Sequence, residues 1–134
     1  MKSNKLRLLI VDDSVFIALR LKEFLLELEN VIVVGHAENY YDAVLLTQAV
    51  NPDVMLLDIH LNGKSGIDVL AHLKQNNNSV RVIMFTNYAD GYFKNSCLRL
   101  GADYFLDKSK DFDKIPKVLE QIAAASRKKN PSIT

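Results

Sequence analysis

Val54-Met55-Leu56-Leu57-Asp58 is the stretch that decides the fold. Four apolar residues lead directly into one carboxylate. The run is short and is bounded by Asn51-Pro52 upstream and Gly63 downstream, which marks a strand buried on both faces. Asp58 then stands where the strand leaves the sheet. In open α/β sheets, ligands bind just outside the carboxyl ends of the strands. A buried strand that ends by presenting an Asp is therefore a candidate functional site. On this stretch alone the plainer alternative, an Asp capping a turn, stays open.

The same grammar repeats on either side. Leu6 to Val11 is apolar apart from Arg7 and predicts a first strand. It ends in Asp12-Asp13-Ser14, residues able to cap a helix. Val15, Ala18, Leu21, Leu25 and Leu28 then recur at helical spacing. Val31 to Val34 predicts a β-branched strand closed by Gly35. A helix is expected near Tyr40 to Val50, with Ala43, Leu46 and Val50 on one face. Beyond Asp58, a loop from Ile59 to Ser65 leads to a helix carrying Ile67, Leu70 and Ala71. Val80 to Phe85 predicts a fourth strand ending at Thr86-Asn87. A helix near Asp90 to Leu100 would bury Phe93, Cys97 and Leu100, and Gly101 would terminate it. Tyr104 to Leu106 predicts a fifth strand ending at Asp107-Lys108. The last helix is expected from about Asp113 to Arg127, with Pro116 in its first turn, where a missing N–H costs little. Strands alternating with helices imply parallel strands and right-handed crossovers.

The bulk numbers narrow the class. The 134 residues suit one domain, with a core at about residues 6–125 and a basic tail at 127–134. Apolar residues make up 49% and charged ones 25%, and the net charge of +1 argues against direct nucleic-acid binding by this domain. The single cysteine, Cys97, rules out an internal disulfide and a Cys-based zinc site. No apolar run reaches membrane-spanning length. The basic start, Met1 to Lys5, leads into a run interrupted by Asp12-Asp13 and does not make a signal peptide, so the cytoplasm is the expected location.

Four strand ends carry polar groups: Asp12-Asp13, Asp58, Thr86 and Lys108. In a parallel sheet all of them share one rim. Three carboxylates together require a proton or a cation. Oxygen ligands favour a hard cation, and Mg²⁺ suits a site with few carboxylates and several waters. Lys108 can hold an anion and Thr86 can donate a hydroxyl to it. This is an arrangement for a phosphoryl group. Singly, each residue has an ordinary reading: Asp13 or Thr86 as a helix cap, Lys108 as a surface lysine.

As a set, these residues resemble the receiver domain of bacterial two-component response regulators over Leu6 to about Ala125. Asp12-Asp13 match the acid pair, Asp58 the phosphoacceptor, Gly66 the loop glycine eight residues later, Thr86 the hydroxyl residue and Lys108 the lysine. Gly101-Ala102 match the pair before the fifth strand, and Phe105 matches the aromatic switch residue. The resemblance implies a flavodoxin-like α/β fold, a doubly wound parallel sheet of five strands in the order 2-1-3-4-5 with five helices on two faces. It departs from the family at Asn62 and Ser109, where proline is usual, and at Asn87, where a small residue is usual. A cis Lys108-Ser109 bond is allowed in this reading.

The resemblance further implies a mechanism. Asp58 is the nucleophile toward a sensor histidine kinase, a phosphotransfer protein or a small phosphodonor. Asp13, Asp58 and the His60 backbone carbonyl ligate Mg²⁺, and Asp12 acts through a metal-bound water. Lys108 and Thr86 hold the phosphoryl oxygens, and Thr86 and Phe105 form the switch. His60, Asn87 and Tyr88 flank the phosphoryl group. The surface of the fourth helix, fifth strand and fifth helix would change for a downstream protein or an output domain, and is open to a homodimer contact as well. The stretch Val33 to Asn39 is similar to receivers attached to helix-turn-helix domains. The chain is expected to be a stand-alone receiver or one cut from a longer regulator.

Three competing functions fit less well. A phosphatase of the haloacid dehalogenase type needs an Asp two residues after the nucleophile, where this chain has His60. A P-loop ending in Gly63-Lys64-Ser65 needs a glycine where Asp58 stands. A receiver fold used only as an interaction module would not need the acid pair, Asp58, Thr86 and Lys108 together. His36 and His72 have no partner at ligand spacing in the sequence. Tyr40 and Tyr41 fit either a contact patch or packing.

Overall fold

The computed structural model describes residues 5–129. Alternation along the strands builds its core. Strands β1 (Leu6–Val11), β2 (Val31–Ala37), β3 (Val54–Leu57), β4 (Arg81–Thr86) and β5 (Tyr104–Asp107) form one sheet in the order β2-β1-β3-β4-β5. Every pairing is parallel, as the alternating order requires. Helices α1 (Val15–Leu26), α2 (Tyr40–Val50), α3 (Gly66–Gln75), α4 (Gly91–Arg99) and α5 (Ile115–Lys129) cover the two faces. Successive strand residues point to opposite sides. Leu9, Val11, Met55, Leu57, Val82 and Met84 therefore pack with Ala43, Val69, Leu70 and Cys97 on one face. Leu8, Ile10, Val54, Leu56, Ile83 and Phe85 pack with Leu21, Leu25, Val118 and Ile122 on the other. All four residues of β3 are buried, as a central strand with both faces covered must be. Burial also pushes the Cys97 thiol pKa up, so this cysteine is an unreactive core residue.

Short polar side chains start four helices, each accepting a backbone N–H of the first turn. Ser14 caps α1, Asn39 caps α2, Ser65 caps α3 in a reciprocal box with Asp68, and Asp90 caps α4. At the opposite end of the sheet, Arg7 finds a use for the one charge in β1. Its guanidinium donates to the carbonyls of Val50 and Asn51, at 2.5 and 2.8 Å, where α2 ends in a left-handed Asn51.

Several boundaries differ from the sequence expectation. β2 does not close at Gly35 but continues to Ala37, with an irregularity that shifts its register between Leu8 and Leu9. A Cβ on Gly35 would lie 3.1 Å from Leu9 Cδ1, so glycine lets the strand pass the bulky neighbour. Val15 is 53% exposed, because it occupies the first turn of α1 at the rim rather than the inner face. Leu100 is 40% exposed, since it caps α4 instead of lying on its buried face. On α2 the buried pair is Ala43 and Thr47, whose hydroxyl donates to the Ala43 carbonyl at 2.6 Å. A 3₁₀ turn at Phe112–Lys114 precedes α5, which takes over at Ile115. Met1–Asn4 and the end of the basic tail, Asn130–Thr134, lie outside the described residues. None of the described helices is long and apolar enough to cross a membrane.

Candidate functional site

The ends of β1, β3, β4 and β5 meet at one rim, and each delivers its polar residue there. Asp58 N–H donates to the Val11 carbonyl at 2.9 Å, which holds the end of β3 against β1. Asp12 N–H donates to the Ala37 carbonyl at 2.9 Å and does the same for β1 and β2. The carboxylates of Asp12, Asp13 and Asp58 thus converge, with one oxygen of each within 4.8 Å of the others. Asp12 and Asp58 are buried, and Asp13 is half-buried.

Lys108 reaches into this cluster. Its Nζ lies 2.6 Å from Asp12 Oδ2 and 2.9 Å from Asp58 Oδ2, and its side chain is only 8% exposed. Burial acts to lower the Lys108 pKa, but the hydrogen bonds to both carboxylates and their charges outweigh it. The ammonium is held above the ordinary lysine value. Burial pushes the Asp12 carboxyl up, against the Lys108 ammonium and the Ser14 amide, which donates to Asp12 Oδ1 at 2.9 Å. Thr86 is fully buried, and its Oγ1 accepts the Tyr88 N–H at 3.1 Å.

The ordinary alternatives for these residues do not hold. Ser14, not Asp13, caps α1, and Asp90, not Thr86, caps α4. Lys108 is not a solvated surface lysine.

The loop after β3 is tied to the site. His60 N–H donates to Asp58 Oδ1 at 3.3 Å, and Gly66 N–H donates to the Ile59 carbonyl at 2.7 Å. The His60 and Tyr88 rings approach from two different loops, with centroids 5.7 Å apart. Phe93 follows at 6.0 Å from Tyr88. Asn87 is exposed beside them. Phe105 is half-buried, paired with Met84 across β4 and β5, and packs against the core layer under α3 and α4.

No cis peptide occurs among the described residues, so Lys108-Ser109 is trans. Ser109 uses the N–H that a proline lacks: its N–H and hydroxyl both donate to Asp107 Oδ1, at 2.8 and 2.6 Å. Asp107 N–H in turn donates to Asp111 Oδ2 at 2.9 Å. These contacts hold both carboxyls below their usual range, Asp107 through Ser109 and Asp111 through the Asp107 amide and Lys114.

A family model described as the response regulator receiver domain matches residues 8–120. The chain belongs to that family. This receiver is 31% identical over 118 residues to the chemotaxis protein CheY of Listeria monocytogenes, covering 88% of this chain and 98% of CheY. It is 27% identical over 129 residues to the nitrate/nitrite response regulator protein NarL of Escherichia coli, covering 95% of this chain. The chain spans only 59% of the length of that NarL. A crystal structure of a CheX–CheY–BeF₃–Mg²⁺ complex from Borrelia burgdorferi superposes with a TM-score of 0.79 at 28% identity, covering 87% of this chain and 88% of that one.

The receiver's rim brings together all five polar residues singled out at the strand ends. One neighbour escaped sequence reasoning. His36, on β2, places Nε2 2.8 Å from the Asp12 carbonyl oxygen. A carbonyl only accepts, so Nε2 carries the proton. The signal available was its place at the end of a strand beside Asp12, but strand adjacency cannot be read from spacing along the chain.

The donor set is oxygen-only and compact, with a half-buried carboxylate opening outward, and it fits a hard divalent cation. In the protein without metal, Lys108 is the counter-charge for these acids. Lys108→Ala is therefore expected to leave Mg²⁺ affinity equal or higher, while weakening the conformational response to a phosphoryl analogue. A metal titration followed by NMR checks this. Lost Mg²⁺ binding in a folded variant would contradict the role given to Lys108.

Proposed function

We propose that this receiver accepts a phosphoryl group on Asp58 in a Mg²⁺-dependent reaction. The observation that carries the reading is the buried Asp58 carboxylate, within 4.8 Å of Asp12 and Asp13 oxygens and 2.9 Å from the Lys108 ammonium. Asp13, Asp58 and the His60 carbonyl would hold Mg²⁺ directly, with Asp12 acting through water. Bound there, the metal would neutralise charge developing on the phosphoryl oxygens. An Asp58 Oδ attacks phosphorus in line, and the donor's leaving group departs on the opposite side. Lys108 exchanges its Asp58 contact for a phosphoryl oxygen, and the Thr86 hydroxyl donates to another. Thr86 then moves inward and Phe105 fills the space behind it, which alters the surface of α4, β5 and α5.

The phosphodonor is a sensor histidine kinase or a phosphotransfer protein. Beside Asp12-Asp13-Ser14, α1 exposes Val15, Phe16 and Leu19 at 53, 84 and 55%, an apolar face for such a partner. The altered α4-β5-α5 surface meets a downstream protein, an output domain or a second copy of the chain. The described residues act as one receiver unit, in the cytoplasm, whose chemistry is limited to its own phosphorylation and dephosphorylation. Beryllium fluoride tests the reading, because it mimics the phosphoryl group on an aspartate. It is expected to shift the amide resonances around Asp58, Thr86 and Lys108 only when Mg²⁺ is present. Unchanged spectra with both reagents would support a fold used purely for interaction.

The His60 and Tyr88 rings, 5.7 Å apart on the loops that follow β3 and β4, would shield the phosphoryl group from water. Hydrolysis needs water in line with phosphorus, and His60 and Tyr88 are bulky and offer no carboxylate to orient it. Autodephosphorylation is expected to be slow for a receiver, and Tyr88→Ala or His60→Ala is expected to accelerate it several-fold, each tenfold being about 1.4 kcal/mol of barrier. Phosphate release from purified phosphoprotein measures this. If both variants decay at the parent rate, access of water is governed elsewhere.

A further inference from the structure

The loop between β3 and α3 carries the one backbone ligand proposed for the metal, the His60 carbonyl. Its residues alternate in exposure: Ile59 and Leu61 are buried, while His60, Asn62, Gly63 and Lys64 face solvent. Gly63 has φ +82°, and no proline restrains the exposed half. A loop of this kind needs anchoring if it is to present a carbonyl to a cation.

Two anchors come from the start of α2. The middle of the loop is tied by a parallel bridge between Asn39 and Asn62. Its far end is tied by Lys64, whose Nζ lies 4.6 Å from the Tyr40 ring centroid and 5.7 Å from that of Tyr41. Among the described residues Lys64 makes no ion pair, so the rings are its partners. The platform is itself fixed. Tyr40 packs edge-on against Tyr41 at 5.2 Å and against His72 of α3 at 6.0 Å. Its hydroxyl also lies 3.4 Å from His72 Nδ1.

We infer that Lys64 is a positioning residue for the metal site, holding the β3–α3 loop on the Tyr40–Tyr41 platform so that the His60 carbonyl is already in place. The inference rests on the proposed metal site at Asp13, Asp58 and His60. Its energetic logic is pre-organisation: a loop ordered beforehand loses less freedom when the ligand arrives. A cation over aromatic faces at an exposed site supports an effect of about three-fold in affinity.

The sign of the effect separates this role from plain electrostatics. Removing a positive charge near a cation site strengthens cation binding by Coulomb's law alone. Loss of the clamp weakens it. Lys64→Met is therefore expected to bind Mg²⁺ about three-fold more weakly, with a melting temperature lowered by no more than about 4 °C. Its amides from His60 to Lys64 are expected to exchange faster than the parent's in the absence of metal. Lys64→Arg keeps a cation over the rings and is expected to match the parent in both measurements. Equal or tighter Mg²⁺ binding by Lys64→Met overturns the inference. So does a Lys64→Arg variant as impaired as Lys64→Met. If the parent itself binds no Mg²⁺, the proposed metal site falls. The metal-free exchange rates then judge the clamp separately, and unchanged rates in Lys64→Met overturn it.

Discussion

Asp58→Asn is expected to abolish the mass gain of one phosphoryl group when the protein is incubated with acetyl phosphate or phosphoramidate and Mg²⁺. The substitution keeps the shape of the side chain. Its amide oxygen can still accept from Lys108, which stands 2.9 Å from Asp58 Oδ2. What disappears is the anionic oxygen proposed to attack phosphorus. The neighbouring acids are poor substitutes. Asp12 is engaged by Lys108 at 2.6 Å and by the Ser14 amide at 2.9 Å. Asp13 lies on the outer side of the cluster, half-buried, where a metal ligand is wanted. The fold is expected to survive, because Lys108 keeps Asp12 as a partner and no buried charge is left alone. Intact-mass spectrometry reads the result directly. Labelling of Asp58→Asn equal to that of the parent would move the phosphoacceptor to another side chain.

Gly66→Ala is expected to be the most damaging single methyl group that can be added near the site. An ideal Cβ on Gly66 would stand 1.9 Å from the Asp58 carbonyl oxygen, 2.8 Å from the Asp58 carbonyl carbon and 3.0 Å from Ile59 Cα. All three are backbone atoms, so no side chain can swing aside. The start of α3 must retreat, or the peptide after Asp58 must turn. Either movement breaks the 2.7 Å hydrogen bond from Gly66 to Ile59, which closes the loop bearing His60. A cost of about 3 kcal/mol is expected, at the upper end of overpacking effects. For a domain of this size that lowers the melting temperature by roughly 10 °C. Thermal unfolding monitored by circular dichroism gives the first number, and a Mg²⁺ titration shows the accompanying loss at the site. A variant with parental stability and parental metal binding would mean that the contact is relieved without consequence. Glycine is required here for the space it leaves, whereas at Gly101 it is also required for a φ of +109°.

The strands were legible because each is a short apolar run, and a polar residue at the end of such a run is placed by the topology. Asp12, Asp58, Thr86 and Lys108 could be grouped on one rim from that rule alone. Exposure at the ends of elements was harder to read. Val15 and Leu100 continue an apolar period, yet each lies at a helix terminus, where the face that the period defines no longer meets the sheet. The extension of β2 past Gly35 was hidden because glycine usually interrupts a strand, whereas here it relieves crowding by Leu9. Contacts between the ends of different elements were not legible at all. His36 on the Asp12 carbonyl and Lys64 on Tyr40 join residues 24 apart in both cases. Such pairs depend on which element ends lie side by side, and the periodicity of a single segment carries no trace of that.

Arg7 gives α2 an unequal pair of ends. Its guanidinium grips the Val50 and Asn51 carbonyls, so the C-terminal end of the helix is riveted to the floor of β1. The other end carries Tyr40 and Tyr41, whose rings lie against Lys64 of the β3–α3 loop. A rod fastened at one end answers a push at the other by tilting, not by sliding. The 11 residues of α2 span about 16 Å, so a displacement of ~1 Å at Tyr40 becomes a tilt of about 4° around Arg7. Exposed Leu45 lies midway along that lever and exposed Tyr41 near its aromatic end. The outer surface of α2 therefore runs between two fastenings of different kind, a guanidinium on carbonyls at one end and aromatic rings under the Lys64 ammonium at the other.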